Sequence, residues 1–225
     1  MADEQDRGGT VLVVTRTKDR PVLLRRAMES VLGQTRGDWI HAIGNDGGDP
    51  VPVDLLAAEL EGRYRGRLRV FHHPTPLGMQ NASNVAIRAT DSEYVTIHDD
   101  DDSWEPAFLE QAAGRLEQAG PGSLVQGVVT HTQWIFEEID AHGRVVELYR
   151  REFPAPETIR LADVAGENRF PPIAFLYRRQ AHEAIGYFNE EFSVLGDWDF
   201  NLRFLSRFEI AVVPEKLAKW HWRHQ

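Results

Sequence analysis

At 225 residues with 42% hydrophobic content, the chain suits one large α/β domain with a sizeable core. Its formal net charge of −10 argues against non-specific nucleic-acid binding, and the absence of cysteine excludes disulfides, thiolate metal sites and a cysteine nucleophile, as suits a reducing cytoplasm. No apolar run approaches the roughly 20 residues of a membrane span, and Met1–Gly9 is polar, unlike a signal peptide, so a soluble protein is expected.

Thr10–Thr15 is a β-branched run that reads as a buried first strand leading into the basic loop Arg16-Thr17-Lys18-Asp19-Arg20. Pro21 suits a first helical position, Leu24, Ala27, Met28 and Val31 share one helical face, and Gly33 ends the helix. Trp39–Gly44 is a second strand closed by the turn cluster Asn45-Asp46-Gly47-Gly48-Asp49-Pro50. Leu56, Leu60 and Tyr64 mark a second helix and Leu68–His72 a third strand. Pro74–Gly78 feeds a helix with Ala82, Val85, Ala86 and Ala89 inward. This alternation predicts a mainly parallel sheet, helices on both faces and right-handed crossovers.

The fourth strand, Tyr94–His98, runs into Asp99-Asp100-Asp101-Asp102. Acids at the carboxyl end of a parallel strand face the crevice where such sheets bind ligands. Four adjacent carboxylates raise one another's proton affinity, and a hard divalent cation, sharing its coordination with phosphate oxygens, relieves them. Beyond the acids, Trp104-Glu105-Pro106 is expected to start a helix carrying Phe108, Leu109, Ala112 and Leu116, followed by a strand over Leu124–Val129. Thr130–Ile139 and Val145–Tyr149 flank Ala141-His142-Gly143-Arg144 as a hairpin, so the second half should be mixed or antiparallel. Pro154–Arg169 is weakly patterned and reads as a mobile loop. Ile173–Tyr177 is a strand, Gln180–Ile185 a short helix, Asp197–Arg207 a helix and Glu209–Val213 the last strand, ahead of the aromatic, histidine-rich Trp220–Gln225.

Four segments in this order carry a resemblance. They are Thr17–Pro21 with Leu23–Thr35, Asn45-Asp46-Gly47-Gly48, the stretch Leu77-Gly78, Asn81, Asn84, Ala86, Glu93-Tyr94-Val95 leading into the acids, and Leu195-Gly196-Asp197-Trp198-Asp199-Phe200. Together they resemble the family 2 glycosyltransferases, nucleotide-sugar-dependent enzymes of the GT-A fold, through an opening strand and helix, an Asp-Asp-Gly-Ser turn, a DXD motif and a Glu-Asp-Trp-Asp segment. The resemblance implies one α/β, Rossmann-like catalytic domain over residues 1–225. About 10–105 would be its nucleotide-binding half and about 106–225 its acceptor-binding half.

It further implies that Thr15, Thr17 and Asp19 line the nucleoside pocket and that Asp46 accepts hydrogen bonds from the base, which suits the N–H of uracil. Asp99 and Asp101 take the DXD positions, with Asp101 the metal ligand and Asp100 near ribose or sugar; the register within Asp99–Asp102 stays open by one residue. The metal, Mn²⁺ or Mg²⁺, would neutralise the departing diphosphate, with His221 or His224 as a further ligand. Asp197 would be the general base of an inverting transfer, a role compatible with capping the helix it begins. Arg178, Arg179 and Trp198 are candidates for meeting acceptor or phosphate. Departures from the family pattern are Gly196 in place of Glu, Arg16 in place of Pro and Lys18 in place of Tyr. Implied partners are a nucleotide-sugar donor, UDP-linked by preference, and a glycan or lipid-linked glycan acceptor of cell-surface biosynthesis, at the cytoplasmic face of a membrane.

Three other readings compete. Asp99-x-Asp101-x-Ser103 mimics the nucleophile motif of haloacid-dehalogenase-type phosphohydrolases, although three strand-helix units precede it here. A sugar-1-phosphate nucleotidyltransferase would carry a glycine-rich loop where Arg16–Arg20 has none. The third is a catalytically silent nucleotide-sugar or metal-binding module of a larger assembly.

Overall fold

The structure, a computed structural model, describes residues 9–154 and 156–223. The first half alternates strictly: β1 (Val11–Thr17), α1 (Pro21–Leu32), β2 (Trp39–Asp46), α2 (Pro50–Tyr64), β3 (Leu68–His73), α3 (Met79–Ala89) and β4 (Tyr94–Ile97). The second half comprises β5 (Ser103–Trp104), α4 (Phe108–Ala119), β6 (Val125–Ile139), β7 (Val145–Glu152), α5 (Leu161–Gly166), β8 (Phe175–Arg178), α6 (Ala181–Ile185), α7 (Gly196–Leu205) and β9 (Glu209–Arg223). One sheet runs through all of it in the order β3-β2-β1-β4-β8-β6-β9-β5, with β7 hydrogen-bonded to β6.

Val11, Leu12, Val13 and Val14 are fully buried because β1 lies between β2 and β4 with both faces covered. Each such side chain contributes about 1.5–3 kcal/mol of burial. The pairs β1–β2, β1–β4 and β2–β3 are parallel, so the carboxyl ends of β1 to β4 share one end of the sheet. Strand order reverses beside β1, the crevice where open α/β sheets take ligands. In the second half β8 runs antiparallel to β4 and β6 antiparallel to β8, while β9 is parallel to β6. The first part of β6 pairs with β8 and its last part with β7, so β6 and β9 continue past the sheet's end and rise beside the acids.

Several second-half expectations are corrected. The helix expected from Trp104 begins at Phe108, because Ser103–Trp104 instead pairs with Lys219 and Ala218 of β9. The Trp104 amide donates to Ser30 Oγ (2.7 Å) and that of Glu105 to Leu217 O (2.8 Å), while Pro106 biases Glu105 away from helical backbone. Leu124–Val129 and Thr130–Ile139 merge into one strand, its register against β9 shifting around His131. The last strand does not stop at Val213 but absorbs the aromatic tail as far as Arg223, stepping over Pro214 at that irregularity. Pro154–Arg169, expected as a mobile loop, contains α5, bridges Ile159 to Ile210 and buries Val164. Among the described residues no helix is long and apolar enough to cross a membrane.

Candidate active site

Three loops at the carboxyl ends of β1, β2 and β3 are fastened to one another. Asp19, at φ 54°, accepts the Asp49 amide through Oδ1 at 2.8 Å. Gly48 permits that approach, since a Cβ there would lie 2.9 Å from Asp19 N and 2.7 Å from Asn45 Oδ1. Gly47, at φ 74°, abuts Pro76 N, which a Cβ would meet at 2.5 Å. Asp46, the expected base acceptor, receives the amides of Leu77 (2.6 Å) and Gly78 (3.0 Å) and lies 3.3 Å from His73 Nδ1. It therefore braces the loop that opens α3; Oδ1 is engaged by both Leu77 and His73, and Oδ2, with the Gly78 amide as its one partner, keeps a lone pair for a ligand.

Thr15 is corrected outright: its hydroxyl lies 2.8 Å from His41 Nε2, whose Nδ1 is 2.8 Å from Tyr64 Oη, all buried beneath α2. Burial holds His41 well below its ordinary proton affinity, and Thr15 offers no hydroxyl to a nucleoside. Thr17, two residues on, donates instead to Asp100 Oδ2 at 2.7 Å.

Each acid has its own partner. Asp99 accepts Arg16 Nε at 2.9 Å. Asp100, fully buried, pairs with Arg20 at 2.7 Å; burial nevertheless pushes its carboxyl up to about 7, against the pull of Arg20 and Thr17. Asp101 Oδ2 takes Arg223 at 2.5 Å and Arg20 at 3.2 Å, and its backbone carbonyl accepts Arg26. Asp102, buried, accepts the His221 amide at 2.9 Å; burial and the charges of Asp101 and Asp99 raise it well above the carboxylate range. The repulsion assigned above to a cation is thus relieved by guanidinium groups from β1, its loop and the end of β9.

Behind them Glu137 of β6 gathers Arg26 (2.7 and 3.0 Å), His221 Nδ1 (2.7 Å) and Arg223. Burial works against its charge, but the hydrogen bonds from His221 and Arg26 hold it at about 2. His221 Nε2 lies 2.8 Å from Ser103 Oγ, so both ring nitrogens are engaged within the protein, and the ring ties β5 to Glu137. His224 lies outside the described residues. Among those described, no group of three His, Asp or Glu side chains is arranged around a common cation position.

Asp197, second residue of α7, accepts Asn168 Nδ2 at 2.8 Å. It lines a small, mainly apolar cavity with Ile97, the last residue of β4, and with Phe175, Tyr177 and Phe200. Gly196 is explained by Gln80 of α3: a Cβ at 196 would sit 2.5 Å from Gln80 Nε2 and 2.8 Å from its Cγ. Trp198, half-buried, donates its indole N–H to Val164 O (2.6 Å) and packs one side against the core. Arg178 and Arg179 are corrected. Because β8 is antiparallel to β4, Arg178 sits opposite Tyr94 at the far end, bonded to Glu93 (2.6 Å) and Leu116 O (2.9 Å), and Arg179 caps Thr90 O (2.7 Å) and Ile87 O. Arg20, Arg26, Glu137 and Arg223 were missed; the one local signal was a basic loop, Arg16–Arg20, preceding an acidic one of matching size.

A groove of about 510 Å³ opens over this cluster, lined by Asp19, Arg20, Asp101, Trp220, His221 and Arg223 among others. The fold is shared with S. aureus TarS 1–349 in complex with UDP-GlcNAc (TM-score 0.72, 18% identity, 96% of this chain and 59% of that one). It is shared also with the mannosyltransferase PcManGT of Pyrobaculum calidifontis in complex with GDP-Man and Mn²⁺ (TM-score 0.66, 15% identity, 93% and 56%). The architecture is therefore that of a GT-A glycosyltransferase. Residues 10–186 match the family described as Glycosyl transferase family 2, and the chain belongs to that family. A relative, the uncharacterized glycosyltransferase YwdF of Bacillus subtilis (strain 168), is 28% identical over 205 residues, 91% of this chain and 71% of that protein. The chain spans about 60% of the length of the TarS 1–349 structures.

Proposed function

We propose that the chain transfers a sugar, with inversion, from a nucleotide-diphosphate sugar to a hydroxyl of a glycan or lipid-linked glycan acceptor of cell-surface biosynthesis, at the cytoplasmic face of a membrane, UDP being the favoured carrier. The observation that carries this reading is the groove at the sheet's end, lined by Asp19, Arg20 and Asp101 beside the acid run, in a chain of this family. Asp197 removes the proton of the acceptor hydroxyl as its oxygen bonds to the anomeric carbon, and the bond to the diphosphate breaks with its electron pair leaving on the nucleotide. Asn168 fixes one carboxylate oxygen and leaves the other for the acceptor. Thr17, Asp19 and Asp46, on the fastened loops, line the nucleoside side. Residues up to about 105 form the donor half and the rest the acceptor half.

Asp99 and Asp101 suit a divalent cation: both are hard oxygen donors, 27% and 23% exposed, and Mg²⁺ or Mn²⁺ takes one or two carboxylates and fills its shell with phosphate and water. Asp101 and Asp99 would hold such an ion, which would supply positive charge against the leaving diphosphate. The Mn²⁺ and GDP-Man named with PcManGT support this chemistry for the fold.

The test is a thermal-shift titration with UDP, GDP, dTDP and CMP, each with and without Mn²⁺, followed by nucleotide release from the matching sugar donor by wild type and Asp197→Asn. Stabilisation requiring one nucleotide and metal together, with turnover lost and binding kept in Asp197→Asn, is expected. Equal turnover by the variant would remove Asp197 from the role. Binding without turnover in either protein would favour a silent module.

A further inference from the structure

Of the four-acid run it is Asp101 that lines the groove, yet its Oδ2 is already shared by two guanidinium groups, Arg20 from the β1–α1 loop and Arg223 from the end of β9. Neither is a loose surface pairing. Arg223 is 15% exposed and anchored by Glu137, and Arg20 reaches on to the buried Asp100 at 2.7 Å. A dication approaching Asp101 alone would have to sit among these positive charges, so in the free protein the arginines compete with it. A diphosphate changes the balance, because its oxygens match the guanidinium fork as well as a carboxylate does and carry more charge.

We propose that Arg20 and Arg223 form a guanidinium guard on Asp101, excluding a divalent cation until a nucleoside diphosphate enters the groove, then turning to hold that diphosphate. The inference rests on the donor-site reading above and adds to it two diphosphate-binding residues and an order of binding. Asp101 is released to the cation as the arginines transfer to phosphate. Linkage requires the coupling to be reciprocal, so nucleotide raises cation affinity as much as cation raises nucleotide affinity. A diphosphate bridging to the metal would produce coupling without any guard. What sets the guard apart is its effect on the cation when no nucleotide is present.

The experiment is Mn²⁺ titration followed by the electron paramagnetic resonance signal of the free ion, without nucleotide, on wild type, Arg20→Gln and Arg223→Gln. Arg20 is a 47% exposed loop side chain, so its variant keeps the measurement available should Arg223→Gln fail to fold. The guard predicts Mn²⁺ binding tighter than wild type by roughly tenfold or more in each variant, the scale of removing one charge a few ångströms from a dication. UDP binding without metal should weaken in the same proteins, and adding Asp101→Asn to Arg20→Gln should abolish the gained Mn²⁺ site. Mn²⁺ binding unchanged or weaker in both arginine variants overturns the proposal, as does a gain that survives Asp101→Asn. If wild type binds none of the four nucleotides with Mn²⁺ while the variants still gain Mn²⁺ affinity, the cation half of the guard stands and the donor-site reading fails.

Discussion

Glu137→Gln tests the account of how the site is held together. Glu137 is 3% exposed on β6, and although burial works against its charge, the hydrogen bonds from His221 and Arg26 hold its carboxyl at about 2 against the ordinary 4.5. That preference for the charged form corresponds to about 3 kcal/mol at neutral pH. The folded value lies below the unfolded one, so the contribution is complete above about pH 4.5, declines as pH falls and vanishes below about 2. Glutamine keeps the shape and removes the charge. The variant should lose about 3 kcal/mol at pH 7, which for a domain of this size lowers the melting temperature by about 6–12 °C. Urea unfolding at pH 7, 5 and 3 is the assay, with the gap between wild type and variant nearly constant from pH 7 to 5 and about half as large at pH 3. Burial of His221 lowers its proton affinity and keeps it neutral at pH 7, so the upper part of the comparison reports on Glu137. A gap under about 1 kcal/mol at pH 7, or one as large at pH 3 as at pH 7, would refute the reasoning, the second result pointing to packing instead of charge.

Gly196→Ala should destabilise by about 1–3 kcal/mol because its methyl group drives into the buried Gln80 side chain, and Gln80→Ala in the same chain should recover most of the loss in thermal unfolding. Asp100 is raised to about 7 by burial, so the folded state binds more protons than the unfolded between about pH 4 and 7 and this residue's contribution falls as pH rises. Asp100→Asn should accordingly gain on wild type in urea unfolding between pH 5 and pH 8, by at most about 3 kcal/mol; a gap independent of pH would remove burial as the cause. Arg178→Ala strips Glu93 of its partner and should cost about 2–4 kcal/mol of stability while leaving the affinity of folded protein for nucleotide, measured by calorimetry, unchanged. Weaker nucleotide binding would return Arg178 to the site.

Where pattern is local, the sequence was readable. The β-branched run of β1, the 3.6-residue stripe of α1 and the strand-to-acid junction at Ile97–Asp99 each follow from neighbours a few residues apart, and the structure keeps all three. The hairpin around Gly143, at φ 75°, was visible for the same reason. What escaped depends on strands that bond across the whole chain. Lys219 and Ala218 make a strand of Ser103–Trp104 that no local propensity favours, and the same tail places Arg223 on Asp101 at a separation of 122 residues. Thr15 and Thr17 show the limit at the site itself: alternation puts both on one strand face, while the hydrogen bonds turn one toward His41 and the other toward Asp100. Arg178 failed for topological reasons, since a strand followed by arginines reads identically whether its partner is parallel or antiparallel.

The charge arrangement bears on how a chain of net charge −10 would take up the diphosphate proposed above. Long-range repulsion from the surface is screened within roughly 8–10 Å in physiological salt, so the local balance decides. At the sheet's end, Asp99, Asp100, Asp101, Asp102 and Glu137 face Arg16, Arg20, Arg26 and Arg223, and two of the acids, Asp100 and Asp102, have raised proton affinity through burial. The site is therefore close to neutral in spite of its acidic sequence. A dication alone would leave it strongly positive and a diphosphate alone strongly negative, whereas the two together change its charge little. Neutral starting and end states favour their joint uptake. The arginines that establish that neutrality come from β1, α1 and β9, so the formation of the sheet is what makes the acid run usable.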